Sequence, residues 1–314
     1  MGRDAGEPAP RTVGEALAAA EAVLARAGVA SPRADAEALA QHVSGRSRAD
    51  LVLSRRDVLD DADPLATALP GLVGRRAARE PLQHILGTAP MLDLELAVGP
   101  GVFVPRPETE LLVDGAVSVL RTMIRGGIRR PVVVDLCTGS GAIALAVADL
   151  VPSACVVGVE KSPAALDWAL RNLERCRRRW ASAPGPDRDV RIVAGDVTDP
   201  AILDDGGALA GLTGRADAVL SNPPYVPESA DVDPEVRADP HDAVFAGDTG
   251  LDVIRPMMTV VRTLLRPGGH AAVEHDDDGA AGVAAAFAEA GGFRDVACRR
   301  DLAGRDRFTV ATRA

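Results

Sequence analysis

The sequence contains few aromatic residues and almost no lysine. Phenylalanine, tryptophan and tyrosine make up 3% of the 314 residues, and Tyr225 is the single tyrosine. Lys161 is the single lysine, so nearly all positive side-chain charge comes from arginine. The core must therefore be built mainly from alanine, valine and leucine, within a hydrophobic fraction of 47%. The few aromatic residues become candidates for functional roles.

Cysteine, net positive charge and long apolar runs are also scarce. The cysteines, Cys137, Cys155, Cys176 and Cys298, form no C-x-x-C pair and lie near no histidine cluster, which argues against a disulfide framework or a metal site. A net charge of −10 argues against broad electrostatic binding to nucleic acid. The start, MGRDAGEPAP, lacks the apolar part of a signal peptide, and no apolar run is long enough for a membrane span. We expect a cytoplasmic, monomeric protein that binds neither membranes nor nucleic acid directly.

The chain is long enough for two unequal domains. Residues 1–10 are typical of a disordered tail, and helical spacing of apolar residues follows from Thr12 to about Glu80. We predict an all-helical N-terminal domain over residues 1–80, with a role in substrate recognition. Turn signals and alternating apolar residues predict a β-hairpin linker over 81–104. Residues 105–314 then form the catalytic domain.

Strands and helices alternate from Arg130 onward. Near-continuous apolar strands separated by helices predict a parallel sheet covered on both faces, and the last two strands predict an antiparallel edge hairpin. The predicted fold is therefore α/β, with a mostly parallel seven-stranded sheet. The predicted strands are Val132–Asp135, Val156–Glu160, Arg191–Asp196, Asp217–Ser221, His270–His275, Asp295–Arg299 and Arg307–Thr312, and the helices between them include Gly141–Leu150, Pro163–Cys176, Leu251–Leu265 and Gly282–Ala290.

The first of these strands leads into a glycine-rich loop, Asp135-Leu-Cys-Thr-Gly-Ser-Gly141. Glycines let the backbone turn tightly and approach a ligand, and the helix that follows offers free N–H groups. The spacing Gly139-x-Gly141-x-x-Ala144, with Glu160 about twenty residues later, also fits a dinucleotide fingerprint. An NAD(P) site and a glycine turn without a ligand are both alternatives at this point.

Two further acids favour a different cofactor. Asp135 ends the first strand before the glycines, and Asp196 ends the third strand at the same predicted sheet edge. Together with Glu160 they form an acidic pocket, which suits a cationic, phosphate-free cofactor such as S-adenosylmethionine better than an anionic dinucleotide. Taken alone, Asp196 is equally typical of a helix cap.

The stretch LSNPPYVP, from Leu220 to Pro227, follows the fourth predicted strand. Asn222 offers an amide oxygen, and Pro223 lacks an N–H, so a carbonyl is presented there without a competing donor. Tyr225 offers a flat face. These groups predict a clamp for an –NH2 on a planar system, in which two acceptors orient the hydrogens and the ring stacks on the plane. A rigid turn that merely closes the strand is the structural alternative.

At this point the sequence resembles a known family. Asn222-Pro-Pro-Tyr225 is similar to the signature of amino-group N-methyltransferases. With Pro81-Leu-Gln-His-Ile-Leu-Gly87, Phe103-Val-Pro-Arg-Pro-Glu-Thr-Glu110, Asp239-Pro-His-Asp-Ala-Val-Phe-Ala-Gly247 and Asp301-Leu-Ala-Gly-Arg-Asp-Arg307, the chain resembles the HemK family of release-factor glutamine methyltransferases. The resemblance implies a Rossmann-like class I S-adenosylmethionine-dependent methyltransferase that methylates N5 of the glutamine in the Gly-Gly-Gln motif of class I release factors, a protein methylation in translation termination.

The resemblance also assigns roles by position. It implies a cofactor site that includes Asp135, Cys137, Thr138, Gly139, Ser140, Gly141, Glu160, Asp196, Val197 and Asn222. It implies that the catalytic groups are Asn222, Pro223 and Tyr225, and that the substrate-binding residues are Phe103, Arg106, Asn222, Pro223, Pro224 and Tyr225. No metal is implied.

The chain departs from the family pattern at three places. Cys137 replaces the usual glycine of the loop, Glu160 stands where aspartate is frequent, and Glu274-His-Asp-Asp-Asp278 replaces a Glu-Ile-Gly pattern. Three alternatives stay open: a methyltransferase acting on a ribosomal-protein glutamine, one acting on a nucleic-acid adenine, and a non-catalytic S-adenosylmethionine-binding protein. The acidic charge argues against the adenine alternative, and the intact clamp argues against the non-catalytic one.

Overall fold

The structure, a computed structural model, describes residues 12–182, 185, 187–301 and 303–314. These residues divide into two compact units. The helical unit comprises the chain up to Gly87 together with Asp233–Ala238, and the sheet unit comprises Thr88–Val232 and Asp239–Ala314. The tail predicted at residues 1–10 lies outside the described residues.

The helical unit is built around a core of leucine and alanine side chains. Its helices are α1 (Val13–Arg26), α2 (Pro32–Ser44), α3 (Arg48–Leu53), α4 (Pro64–Thr67), α5 (Leu69–Ala77) and α6 (Leu82–Leu86). Thr12 and Ser47 each close a capping box, which explains why α1 and α3 begin where they do. Leu24 and Leu39 are fully buried in the core.

A segment from far along the chain completes this unit. Glu235, directly before the 3₁₀ turn Val236–Ala238, forms an ion pair with Arg76 at 2.8 Å and accepts a hydrogen bond from Arg79 Nε at 2.7 Å. Arg76 is buried and also donates to Asp35 at 2.7 Å. A buried arginine needs such partners, so Glu235 helps to neutralise the centre of the helical unit.

The division of the chain differs from the predicted boundaries at residues 80 and 104. Helix α6 belongs to the helical unit because Ile85 packs into its core. The predicted hairpin is present as β1 (Thr88–Met91) and β2 (Leu94–Ala97), but it belongs to the sheet unit. The predicted linker is therefore shared between the two units.

The sheet unit contains one large sheet. Its strands are β3 (Val132–Leu136), β4 (Cys155–Glu160), β5 (Asp189–Ala194), β6 (Ala216–Ser221), β7 (Leu265–Glu274), β8 (Phe293–Arg300) and β9 (Asp306–Arg313). The order across the sheet is β5-β4-β3-β6-β7-β9-β8, with β9 antiparallel to both neighbours and the other pairs parallel. This confirms the predicted mostly parallel seven-stranded sheet with an antiparallel edge hairpin.

Helices cover both faces of the sheet. The helices of the sheet unit are α7 (Pro107–Arg125), α8 (Ala142–Leu150), α9 (Pro163–Ala181), α10 (His241–Val244), α11 (Ile254–Leu264) and α12 (Ala280–Ala290). One apolar cluster joins α7, α8 and α9 to the sheet, and a second joins α11 and α12 to its other face. Helix α9 continues past the predicted end at Cys176 because Trp180 is also buried. In the described part of the chain, no helix is long and apolar enough to cross a membrane.

Candidate active site

The predicted site residues lie at one edge of the sheet. Strands β5, β4, β3 and β6 are adjacent and parallel, so their carboxyl ends point in the same direction. Asp196 follows β5, Glu160 ends β4, Asp135 lies near the end of β3 and Asn222 follows β6. The edge between β3 and β6 is where such sheets place ligands, because the connections leave the sheet in opposite directions there.

The glycine-rich loop between β3 and α8 is braced from inside by Asp135. Its Oδ2 accepts hydrogen bonds from the Thr138 hydroxyl at 2.5 Å and from the Ala144 N–H at 3.0 Å. Burial raises the pKa of Asp135 to about 7. The structure thus gives this carboxyl contacts with loop groups, and its other oxygen, Oδ1, is buried without a partner among the described residues.

The loop backbone turns through left-handed conformations. Cys137, Gly139 and Gly141 have φ angles of 62°, 57° and 86°. Left-handed φ is costly for a residue with a Cβ, so Cys137 is a strained position in the loop. A Cβ added at Gly139 would meet nothing within 4 Å, which leaves the loop open on that side.

Glu160 joins the loop to the start of α9. Its Oε2 accepts the Gly139 N–H at 2.8 Å and its Oε1 accepts the Ser162 N–H at 2.7 Å. Burial raises the pKa of Glu160, and these backbone hydrogen bonds oppose the increase. Each oxygen has a second lone pair, so the carboxylate can also accept hydrogen bonds from ligand hydroxyls.

Asp196 is paired with the only lysine of the sequence. Lys161 Nζ lies 2.8 Å from Asp196 Oδ2, and Thr198 donates to Oδ1 from both its N–H and its hydroxyl. Burial alone would raise the pKa of Asp196, but the hydrogen bonds from Lys161 and Thr198 outweigh it and lower the pKa. The neighbouring Val197 is buried.

The clamp follows β6 in a fixed conformation. The buried Ser221 hydroxyl donates to the Leu136 carbonyl at 2.6 Å and so ties the strand end to β3. Asn222 Nδ2 donates to the Thr109 hydroxyl at 3.3 Å. Pro223 and Pro224 are both buried.

The tyrosine of the clamp is supported from behind by a second loop. Val226 exchanges backbone hydrogen bonds with Val244 and Ala246, at 3.0 and 2.9 Å. Gly250 has a φ of 71°, and a Cβ there would lie 2.1 Å from the Tyr225 carbonyl oxygen, so only glycine fits. Burial raises the pKa of the Tyr225 hydroxyl, which is therefore neutral.

The segment before α7 holds the other predicted substrate-binding residues. The Arg106 guanidinium lies over the Phe103 ring, 5.0 Å from its centroid. Phe103 is half-buried, while Val102 and Val104 on either side are fully buried. The segment is linked to the clamp through Thr109, in the first turn of α7.

Three residues near this site received no role from the sequence: Thr109, Asp239 and Glu274. Thr109 is buried behind Asn222. Burial raises the pKa of Glu274, at the end of β7, to about 8, and hydrogen bonding with Thr109 opposes the increase. The sequence did carry one signal, since all three lie within or beside the motifs at 103–110, 239–247 and 274–278. Among the described residues, no group of three or more histidine, cysteine or acidic side chains could hold a metal ion.

Comparison with known proteins identifies close relatives. Residues 15–87 match the family described as the PrmC N-terminal domain. The release factor glutamine methyltransferase of Corynebacterium glutamicum is 46% identical over 300 residues, covering 96% of this chain and 98% of that protein. The protein of the same name from Mycolicibacterium smegmatis is 48% identical over 300 residues, covering 95% and 96%. Among solved structures, the T. thermophilus 16S rRNA N2 G1207 methyltransferase in complex with AdoMet and guanosine is 22% identical, covering 72% of this chain and 50% of that chain with a TM-score of 0.46.

Proposed function

Because this chain belongs to the family of release factor glutamine methyltransferases, we propose that it methylates N5 of the glutamine in the Gly-Gly-Gln motif of class I peptide chain release factors. The HemK resemblance is thereby confirmed. The observation that carries the proposal is the clamp Asn222–Tyr225, which follows β6 beside three acids at the carboxyl edge of the sheet. The donor of the methyl group is S-adenosylmethionine.

The residues at the sheet edge fit this cofactor. Glu160 and Asp196 place carboxylates on two adjacent strand ends, which disfavours the phosphates of a dinucleotide, while Asp135 braces the loop between them and the clamp. Glu160 would hold the ribose hydroxyls, and Asp196 and Val197 would lie beside the adenine. Gly139–Gly141 would lie against the methionine part, because the loop is open at Gly139. When bound, the cofactor supplies an electrophilic methyl group on a sulfonium centre.

The clamp supplies orientation. Asn222 Nδ2 is directed to Thr109, which turns the amide oxygen Oδ1 to the opposite side of the side chain, where it can accept from the substrate –NH2. The Pro223 carbonyl is the second acceptor, and the Tyr225 ring covers the amide plane. An amide nitrogen is a poor nucleophile because its lone pair is delocalised. Holding both of its hydrogens against fixed acceptors pyramidalises the nitrogen and frees the lone pair for methylation, after which one amide proton leaves.

The helical unit is proposed to select the protein substrate. It exposes three large apolar side chains, Val52, Leu53 and Val58, of which Leu53 is 85% exposed. Exposed Arg48 and Arg55 lie near them in sequence. The neighbouring exposed pair Val52 and Leu53, beside these arginines, supports a protein interaction surface here. A monomeric enzyme in the cytoplasm also remains a prediction.

Mass spectrometry tests the reaction. The full-length protein is incubated with S-adenosylmethionine and an intact release factor, and the Gly-Gly-Gln peptide is then analysed for one added methyl group on the glutamine. Methylation of a ribosomal protein or of adenine in place of the release factor would identify one of the alternative substrates. Binding of the cofactor without any transfer would identify the non-catalytic alternative.

A pair of substrates tests the helical unit. Leu53→Asp adds a charge to the exposed surface without touching the core, and Val296→Asp on the sheet unit is a control at another exposed apolar residue. Leu53→Asp should lower kcat/KM for the intact release factor and leave kcat/KM for a short Gly-Gly-Gln peptide unchanged, because only the protein can use remote contacts. Equal effects on both substrates would assign a purely structural role to this surface.

A further inference from the structure

The carboxylate of Asp239 connects two groups that flank Phe103. Its side chain is fully buried, and its Oδ1 accepts the Val104 N–H at 3.2 Å. Its Oδ2 accepts Arg106 Nη2 at 2.5 Å. One carboxylate thus fixes both the backbone next to Phe103 and the guanidinium that lies over the Phe103 ring.

The residues on either side of Phe103 are held by apolar contacts. Val102 and Val104 are fully buried in a small apolar cluster with Ala89, Val98 and Ala165. These contacts anchor Val102 and Val104, whereas Phe103 is not a member of the cluster and stays half-buried. The Arg106 guanidinium lies over the Phe103 ring, where a cation–π interaction attracts the two groups, and Asp239 holds that guanidinium.

Burial makes the Asp239 carboxylate sensitive to the presence of Arg106. Burial raises its pKa to about 6, and the charge of Arg106 and the Val104 N–H oppose the increase. A buried carboxylate without its arginine would be an uncompensated charge, so the two side chains depend on each other.

We propose that Asp239 is a positioning residue for methyl transfer, which acts by holding Arg106 and the Val104 amide and thereby fixing Phe103. The proposal rests on the proposed function, since it takes Phe103, one of the substrate-binding residues that the family resemblance implies, to lie beside the methyl-transfer site. Asp239 itself need not touch substrate or cofactor.

The sheet unit contains a matched control pair. Asp217 is also buried, accepts a backbone N–H from Val132 at 2.7 Å and accepts Arg266 Nε at 2.6 Å. It lies near the amino end of β6, whereas the clamp follows the carboxyl end of that strand. Asp217→Asn and Asp239→Asn therefore each replace a buried carboxylate that accepts hydrogen bonds from an arginine and a backbone N–H. Any loss of folding stability should be similar in the two variants, whereas only Asp239 contacts the groups that flank Phe103.

The first readout does not depend on catalysis. The full-length protein is labelled with para-fluorophenylalanine, and the resonance of Phe103 among the five phenylalanines is assigned with Phe103→Leu. Asp239→Asn should shift the Phe103 fluorine resonance towards that of an unfolded chain, and Asp217→Asn should leave it unchanged. If Asp239→Asn does not fold, Arg106→Gln should produce the same shift. An unchanged Phe103 resonance in the folded Asp239 or Arg106 variant would overturn the proposal.

The second readout is turnover on intact release factor. Asp239→Asn should lower kcat about 10- to 100-fold, because a misplaced group next to a reaction centre has effects of that size, and the Kd for S-adenosylmethionine should stay unchanged. Asp217→Asn should keep the wild-type kcat. In a Phe103→Ala background, Asp239→Asn should cause no further loss, and a full additional loss would overturn the proposal. A wild-type protein without methyl transfer would contradict the proposed function, and the fluorine resonance would still decide the role of Asp239.

Discussion

The side-chain nitrogen of Asn222 donates a hydrogen bond to the hydroxyl of Thr109. Thr109 is buried and lies in the first turn of α7, so the orientation of the clamp amide is set by an element that follows the Phe103 segment directly. Hydrogen bonding with Thr109 also lowers the pKa of Glu274, at the end of β7, against the larger effect of burial. The clamp is therefore held by the surrounding fold as well as by its own prolines.

We predict that Thr109→Val lowers kcat about fivefold and leaves KM unchanged. The variant keeps the shape of the buried side chain but removes a hydrogen bond worth about 1 kcal/mol, which corresponds to roughly that change in rate. Steady-state kinetics on release factor measure the effect. Thr109→Ser, which keeps the hydroxyl, should be close to wild type, and equal losses in both variants would contradict this role.

We predict that Asn222→Ala abolishes most turnover while the protein stays folded. Loss of one preorganised hydrogen-bonding group at a reaction centre typically lowers the rate about 10²–10³-fold. Tyr225→Phe should have a mild effect, because stacking needs the ring and not the hydroxyl. Methylation rates, with circular dichroism to verify folding, measure both variants. A folded Asn222→Ala variant with a near wild-type rate would disprove the clamp.

We predict that Glu160→Ala weakens binding of S-adenosylmethionine by about 1–3 kcal/mol, the range for charge-assisted hydrogen bonds that are buried. Glu160→Gln should have an intermediate effect, since the amide keeps one acceptor oxygen. The Glu160→Gln variant also loses one of the two oxygens that accept the N–H groups of Gly139 and Ser162. Calorimetry on the full chain measures the Kd of each variant, and wild-type protein should not bind NAD(H). Tight NAD binding without sulfonium binding would contradict the cofactor assignment.

We predict that Cys137→Gly is more stable than Cys137→Ala by about 1 kcal/mol. Both variants lose the thiol, but glycine alone relieves the φ of 62° at this position. At an ordinary position the order is reversed, because glycine loses more conformational entropy on folding. Urea unfolding of the two variants gives the difference directly. A more stable alanine variant would show that the loop carries no strain at Cys137.

We predict that Glu274→Gln becomes more stable relative to wild type as the pH rises from about 4.5 to about 8. Burial raises the folded-state pKa of Glu274 to about 8, above the ordinary value of 4.5, so the folded state binds more protons across this window. Wild-type stability therefore falls with rising pH, by at most about 1.4 kcal/mol for each pH unit, and the amide variant escapes this loss. Chemical unfolding at several pH values measures the free energy of unfolding of both proteins. If the difference between variant and wild type did not change with pH, the raised pKa of Glu274 would be refuted.

Most strands of the sheet could be predicted because each is visible in its local sequence. Buried parallel strands are apolar on both faces, so they appear as short apolar runs such as Val132–Asp135 and Asp217–Ser221. The strand predicted at Arg191–Asp196 is shifted: β5 spans Asp189–Ala194 and ends where its partner β4 ends, with Ala194 opposite Glu160. The residue at which a strand ends depends on its pairing with the neighbouring strand, and the sequence of one segment does not show that pairing.

The candidate site was predicted in part. Residues that sit on glycine turns or strand ends, such as Glu160 and Asn222, could be identified because the topology of a parallel sheet brings such positions together. The pairing of Asp239 with Arg106, 133 positions earlier, could not be identified, because nothing local marks a buried ion pair across that separation. The left-handed conformation of Cys137 could not be predicted from the sequence either. Only tertiary contacts force a residue other than glycine into that conformation.

The contribution of Asp233–Ala238 to the helical unit has a consequence for protein synthesis. The ribosome makes this segment after all six helices of that unit and after β3, β4, β5 and β6. Until Glu235 has emerged, Arg76 and Arg79 lack one of their carboxylate partners. The helical unit therefore forms its final set of ion pairs only after four of the seven strands of the large sheet have been translated. The N-terminal unit of the chain is thus completed late in synthesis.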